Sequence, residues 1–433
     1  MKRSKFACTT LLVWSAIAAV TAQATTTQHS GVLQVFSGPA AEGACAILAD
    51  HRMSCWGIGG GIVETTLING QHIKSVAVAS NTICALLEDT TVWCKGDNTH
   101  GQLGNGTVGG STSDFAPVRY ARLFARDEFG NVTAISGGAD HFCALRSDTS
   151  VWCWGSNSLG QLGNFGIAVG GDRSLPVDVV VKLGDGTSKQ LTNVMSVSAG
   201  ATFTCASLLE IDGTYSGACW GNNVVGQLGN GESGRDAHSI SPTTVSIDGN
   251  PSDALGIAVV PNSIAAGALQ TCAMVPNANP YSVACWGDNK YGATSTGDSG
   301  PALPEPVIYP DLKFLVGVSA IASGYTGSCV ILVDRTVACW GDNSHGEMGN
   351  HALNYNHAFS PVPVTNFDGS TLGDIQQIVM GQYFTCALTT SRSVLCWGDN
   401  SKQQLGVGQP HGPKDTPVET PVDGPIFYDG LGD

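Results

Sequence analysis

The sequence predicts an all-β fold, a seven-bladed β-propeller with four-stranded blades. Three observations carry this: a unit of about 57 residues recurs seven times, each copy holds its own pair of cysteines, and the copies read as short strands throughout. Composition agrees, with 56 glycines for turns and only 13% charged residues.

The N-terminus stands apart from the repeats. Lys2, Arg3 and Lys5 precede an apolar stretch from about Phe6 to Val20, and Ala22-Gln23-Ala24 follows as an A-x-A cleavage site. Residues 1–24 therefore read as a Sec-type signal peptide cleaved after Ala24, which places the mature chain in the periplasm or outside the cell. A membrane anchor is the rival reading, but the apolar run is short for one. The remainder, 25–433, reads as one propeller domain.

The repeat is best seen in ISGGADHFCALRSDTSVWCWGSNSLGQLGN, which begins at Ile135. IASGYTGSCVILVDRTVACWGDNSHGEMGN from Ile321 and IVMGQYFTCALTTSRSVLCWGDNSKQQLG from Ile378 are close variants. The fifth copy, from Ile264, loses the GQLG element, and the first, from Phe36, is the most degenerate. Repeat cores fall at about 32–62, 76–106, 132–164, 194–231, 261–292, 318–350 and 375–408. Four strands are expected in each: the "IxxG" run, the "tCAL" run, the "VxCWG" run and a final run such as PVPV at 361–364.

Fourteen cysteines follow the signal segment and fall into seven pairs. These are Cys45 with Cys55, Cys84 with Cys94, Cys143 with Cys153, Cys205 with Cys219, Cys272 with Cys285, Cys329 with Cys339, and Cys386 with Cys396. In CALLEDTTVWC a three-residue turn centred on Asp89 places Cys84 opposite Cys94 and Leu86 opposite Val92. Facing residues on antiparallel strands lie within disulfide reach, so each pair is expected to close inside its own hairpin. Zinc is the alternative, but metal-binding pairs favour two to four intervening residues and these have nine or more.

Seven blade-sized units can close into a ring, which removes exposed sheet edges. The strand at 32–36 has no Pro-Val strand before it, while PVETPV at 417–422 looks like an extra one. A blade shared between the two termini is the expected closure. An open solenoid is the alternative.

The CALxxDxxVxCWGDNxxGQLGNG pattern closely resembles the repeat of the regulator of chromosome condensation family. The resemblance spans seven units and nearly all of the mature chain; Cys-Trp-Gly survives in six, and the second unit has Cys94-Lys95-Gly96. It implies a seven-bladed propeller. The family's nuclear founder is an exchange factor for the Ran GTPase that binds chromatin, and guanine nucleotide exchange is the alternative function. This chain departs from that founder: it carries an export signal, a formal net charge of −15 and no basic tail. Secreted bacterial relatives, one of which blocks β-lactamases with loops from one face, are the nearer resemblance.

Composition also bears on partners. A surplus of 35 acidic over 20 basic residues disfavours nucleic acid and anionic membranes. No G-x-S-x-G, H-E-x-x-H, Walker loop or strand-linked G-x-G-x-x-G occurs, so no catalytic residue, metal or cofactor is expected. The D-N-x-x-G segments at Asp97, Asp288, Asp342 and Asp399 lack the ligand pattern of calcium loops and read as Asx turns. The repeated tryptophan reads as inter-blade packing, with a ligand cage as the alternative. Asn105 and Asn131 begin N-glycosylation sequons, expected to be unoccupied behind a bacterial-type signal.

The expected function is a secreted, monomeric, non-catalytic propeller that binds a protein through loops on one face. A carbohydrate-binding module or an enzyme using the central channel is a further alternative. Loops after "IxxG" offer Asp140, Tyr325 and Tyr383; loops after "CWGDN" offer His100, Leu159, Val225, Tyr291 and His345. Exposed aromatic residues suit interface anchors. The irregular insertion at 115–129, with Arg119, Arg122 and Arg126 beside Phe115, Tyr120 and Phe124, is either a local binding element or an elaborated inter-blade connection.

Overall fold

A computed structural model describes residues 31–58, 63–65, 67–120, 128–246, 259–261, 263–276, 281–294, 303–351, 357–407 and 412–422. The expected signal peptide lies outside them, as do Arg122, Phe124 and Arg126. All named elements are strands, and seven four-stranded antiparallel sheets form the blades. Blade three is representative: Val132–Gly137, His141–Arg146, Val151–Gly155 and Arg173–Asp178 pair in chain order. A two-stranded hairpin, Val180–Lys182 with Ser188–Gln190, follows it.

The first strand of every blade lines a central channel of about 290 Å³. The middle strands do not alternate between buried and exposed. In Phe203–Leu209 the first five residues are all buried, because each blade is covered by a neighbour on both faces. Apolar clusters fill the gaps between successive blades: Trp220 of blade four, for instance, joins Leu162 and Cys153 of blade three.

Each disulfide joins directly opposed residues of the second and third strands of one blade, as the hairpin spacing predicts. Cys45 bonds Cys55 in blade one, Cys84 bonds Cys94 in blade two, and Cys143 bonds Cys153 in blade three. Cys205 bonds Cys219 in blade four and Cys272 bonds Cys285 in blade five, across the two longer turns. Cys329 bonds Cys339 in blade six, and Cys386 bonds Cys396 in blade seven. The Cα atoms are 4.0–4.1 Å apart in all seven pairs. In blade two Cys84 faces Cys94 and Leu86 faces Val92, the register expected from a turn at Asp89. The cysteines are wholly buried or nearly so, which places the cross-links in the middle of the blade stack.

The tryptophans tie blade to blade. Trp154 donates its indole N–H to the Gln102 carbonyl of the preceding blade, Trp220 to Gln161, Trp286 to Gln227 and Trp397 to Glu347, all at 2.8–2.9 Å. The acceptor in each case is the second residue of the GQLG element. The glycine two residues later has φ near +65° and lies beneath the ring: a Cβ on Gly163 would come within 2.6 Å of Trp220. Backbone conformation and close approach therefore both demand glycine there. Blade five lacks GQLG, yet Trp340 still finds the Ala293 carbonyl at 3.0 Å.

Ring closure differs from the expectation of a blade shared between termini. Blade one comprises Val32–Phe36, Ala44–Leu48, Met53–Trp56 and Val63–Thr65, all its own. Blade seven ends in its own outer strand, Lys414–Thr420. The first strand needs no predecessor because chain order runs from the channel outwards. The missing outer strand of blade one is the three-residue Val63–Thr65, hidden in a glycine-rich stretch. The ring closes by packing: Val35 N–H donates to Gln377 Oε1 at 3.0 Å, and Gln377 Nε2 donates back to the Val35 carbonyl at 2.7 Å.

Phe115–Pro117 end the outer strand of blade two, Ser111–Pro117, and the other described residues of the 115–129 insertion belong to the connection to blade three. Arg119 and Glu128 pair through an isolated antiparallel backbone bridge, Phe129 is fully buried, and Tyr120 packs edge-on against Phe129 and Trp152 at 5.1 and 5.5 Å. The Arg146 guanidinium covers this aromatic group, 5.5 Å from the Tyr120 ring.

Candidate functional site on one rim of the propeller

Two loop sets emerge together because the backbone joins them. The residue after Cys-Trp-Gly, or after Cys-Lys-Gly in blade two, donates to the carbonyl of a residue just past "IxxG": Asp97 to Asn81 at 3.0 Å, Ser156 to Asp140 at 2.8 Å, and Asp399 to Tyr383 at 2.8 Å. Asparagine then sets the loop. Asn98, Asn157, Asn223, Asn343 and Asn400 each accept, through Oδ1, the N–H five residues on. Aspartates 97, 288, 342 and 399 accept the N–H two residues on, as Asx turns do.

The GQLG glutamine does two things. Its Oε1 accepts the N–H of the residue two before it, which is His100, Leu159, Val225 or Lys402, at 2.7–3.0 Å. Its amide nitrogen turns to the loop aspartate where one is present, from Gln102 to Asp97 at 3.0 Å and from Gln404 to Asp399 at 2.8 Å. The backbone at His100, Leu159 and Val225 is thus pinned, and each side chain stands half-buried on the rim.

Blade six breaks this pattern with Glu347. Its Oε2 still accepts the His345 N–H at 2.8 Å, but no amide remains to face the aspartate, here Asp342. Both carboxylates are buried, at 4% and 6% exposure. Glu347 Oε1 makes no hydrogen bond and lies 3.4 Å from His345 Nδ1, which contacts Ser344 Oγ at 2.9 Å. Burial pushes the Glu347 carboxyl up, whereas the Glu347 carboxylate holds the His345 imidazole above its ordinary value.

Aromatic residues gather over these acids. The His345 ring stacks on Tyr383 at 4.6 Å, and Tyr383 meets Tyr325 at 5.3 Å. His357 lies 3.2 Å from Asp342 through Nδ1 and 4.8 Å from the Tyr291 ring. Tyr291, Tyr325, His345 and Tyr383, chosen from sequence on three repeats, thus form one group across blades five to seven. Tyr383 has a backbone φ of +67°, whereas its counterparts Asn81, Asp140, Thr202, Leu269 and Thr326 are not in the left-handed region.

His100 and Asp140 belong to a second group across blades two and three. His100 Nδ1 contacts Asp172 Oδ2 at 2.7 Å, a hydrogen bond that raises its pKa; burial raises that of Asp140. Leu159 and Val225 join neither group and contribute backbone donors. Sequence reasoning missed Asp342 as a site residue, along with Glu347 and His357. Glu347 was visible as GEMG where other repeats have GQLG; His357 lies in a non-repeating connection that offers no such comparison. The channel wall offers serine, Gln377 and apolar side chains, with no acid or base among its described residues.

Seven four-stranded blades around a narrow channel, with two sets of loops on one rim, define a β-propeller built from a single repeated unit. Residues 62–427 match the family described as the RCC1-like domain, and the chain belongs to that family. It is similar to the human E3 ubiquitin-protein ligase HERC2, 24% identical over 79% of this chain, though it spans only 6% of that relative's length. The ultraviolet-B receptor UVR8 of Arabidopsis thaliana is 26% identical over 80% of this chain and 69% of its own. Among solved structures, yeast RCC1 (Prp20) bound to Kap60 shares the fold with a TM-score of 0.64 at 18% identity, over 99% of this chain and 92% of that one.

Proposed function

We propose that the protein is an exported, non-catalytic propeller that captures a protein partner on the rim carrying Tyr325, His345 and Tyr383. The observation that supports this most is the stack itself. Three half-buried rings meet across a blade boundary, at 4.6 and 5.3 Å, on loops that the repeat holds rigid. Rigid tyrosines at a rim supply contact area with little ordering cost. Export is supported by the N-terminal signal pattern and by seven disulfides, which persist in oxidising compartments. The Kap60 complex of yeast RCC1 is a precedent for protein binding on this fold.

The test is capture of proteins from periplasmic and culture-supernatant fractions on the immobilised, disulfide-bonded protein. Wild type and Phe367→Ala, altered at an exposed residue elsewhere, should retain one specific partner that Tyr383→Ala loses. Equal capture by Tyr383→Ala, or no specific capture at all, would sink the reading. N-terminal sequencing of the exported chain should begin at Thr25.

A further inference from the structure

Of the three rings in the rim stack, the His345 imidazole is the one that changes charge near neutral pH. Its hydrogen bonds identify the nitrogen that does so. The Ser344 hydroxyl donates to Asp342 Oδ2 at 3.1 Å, so the same oxygen accepts from His345 Nδ1 at 2.9 Å. Nδ1 therefore keeps its hydrogen, with Glu347 Oε1 3.4 Å away, and the proton that comes and goes sits on Nε2. Asp342 lies 3.2 Å from His357 Nδ1, so each buried carboxylate of this loop faces one imidazole. From the neighbouring blade, Asp399 and Tyr383 act on His345, while Lys414 and Asp415 approach the adjoining Gly346 through their backbone.

Tyr383 is the ring that this proton can steer. Its left-handed backbone, at φ +67°, is one that a bulky residue keeps only when its surroundings over-determine it. The His345 ring is part of those surroundings, stacked at 4.6 Å with 29° between the planes. An imidazolium there gains the attraction of the tyrosine face and charge-assisted contacts with Ser344 and Glu347. A neutral imidazole keeps the stacking area, loses both gains, and leaves the buried Glu347 carboxylate without a counter-charge. We propose that His345 is a proton-dependent positioning residue of the partner-binding rim: charged, it holds Tyr383 in place, and neutral, it lets the Tyr383 loop relax. Its bearing on capture rests on the rim proposed above. The direction follows from the neighbours. Glu347 holds the imidazole pKa above its ordinary value, so the hold is complete in mildly acidic solution, persists past pH 6.5, and is lost as pH rises through the raised value.

The test is NMR on the whole disulfide-bonded protein, isotopically labelled in its histidine and tyrosine rings and titrated from about pH 5 to about pH 9. His345 should titrate with a midpoint above about 6.5, and the Tyr383 ring signals should move with the same midpoint. Glu347→Gln should lower the His345 midpoint by about 0.5–1 unit. His345→Phe keeps a ring for Tyr383 to stack on but takes no proton, so the Tyr383 signals should stay flat across the range. A His345 midpoint at or below about 6.5, Tyr383 signals that do not follow it, or Tyr383 signals that still titrate in His345→Phe would each overturn the proposal. A captured partner should leave wild type several-fold faster at about pH 8.5 than at about pH 6, and leave His345→Phe equally fast at both. Equal rates from wild type would also count against proton control. The two readings are separable, because the titration needs no partner. Coupled His345 and Tyr383 signals without capture keep the positioning residue and discard the binding rim; capture with flat Tyr383 signals does the reverse.

Discussion

The indole N–H of Trp56 donates to the backbone carbonyl of Gln404 at 2.9 Å, joining residues 348 positions apart in the chain. The same bond, at the same place in the repeat, links Trp220 to Gln161 and Trp397 to Glu347. Closure of the ring therefore uses the ordinary contact between blades.

Trp56→Phe should accordingly cost at least as much as Trp220→Phe. Each removes buried aromatic volume and the indole donor to a buried carbonyl, together about 2–4 kcal/mol, and the Gln161 carbonyl keeps the Thr204 hydroxyl at 3.2 Å. Denaturant unfolding with the disulfides intact measures both. A Trp56→Phe penalty near zero would mean that blades seven and one are not packed together in solution.

His141 is fully buried, with Nε2 at 2.9 Å from Thr204 Oγ1, and burial lowers its pKa to about 3. A depressed histidine stays neutral in the fold while the unfolded chain takes up a proton below about 6.5. Its contribution is complete above pH 6.5 and is lost progressively as pH falls towards 3. His141→Phe, which copies Phe203 and Phe384 at the same repeat position, should remove up to about 1.4 kcal/mol per pH unit from the acid slope in that window. Identical slopes in the two proteins would refute this.

Glu347→Gln should stabilise the fold at neutral pH by about 1–2 kcal/mol, because the amide restores a donor facing Asp342. Glu347 has a raised carboxyl pKa, so it destabilises the fold most when ionised. That penalty fades as pH falls below the folded-state value and is gone below the unfolded value of about 4.3. The gap between variant and wild type should therefore close on acidification, as read by thermal melts across pH. A gap that widens instead would show that Glu347 is satisfied in the free protein.

Replacing Cys45 and Cys55 together by alanine should cost about 2–3 kcal/mol, the value for a loop closed by ten residues of separation. Cys205 and Cys219, separated by fourteen, should cost only slightly more. Equilibrium unfolding of the two double variants decides it. No loss in either would mean that the cross-links do not constrain the unfolded chain.

Much of this was legible in the sequence, because a repeat lets one unit check another. Cys84 and Cys94 could be placed face to face from their spacing alone, and the same reading extended to Cys285, Cys339 and Cys396 with their partners. The role of tryptophan followed from its recurrence. Legibility failed where the repeat lapses. Val63–Thr65 is too short and too close to a glycine run to read as a strand, so the ring was expected to close through a shared blade. Of the rim residues, Tyr325 and Tyr383 were named as loop aromatics, but their meeting depends on blade-to-blade packing that no single repeat encodes. Asp342 looked like one more turn aspartate until Glu347 was seen beside it.

Lys95 stands where six other blades have tryptophan, so the boundary between blades one and two has no indole to donate across it. The first and last blades meet at a latched seam, while the unlatched seam lies between blades one and two. Under mechanical load or in a slow breathing motion, the circle would part at the second seam, leaving blade one attached to blade seven. The break in the covalent order of the blades and the elastic weak point are then in different places, and as a spring the ring begins at blade two and finishes at blade one.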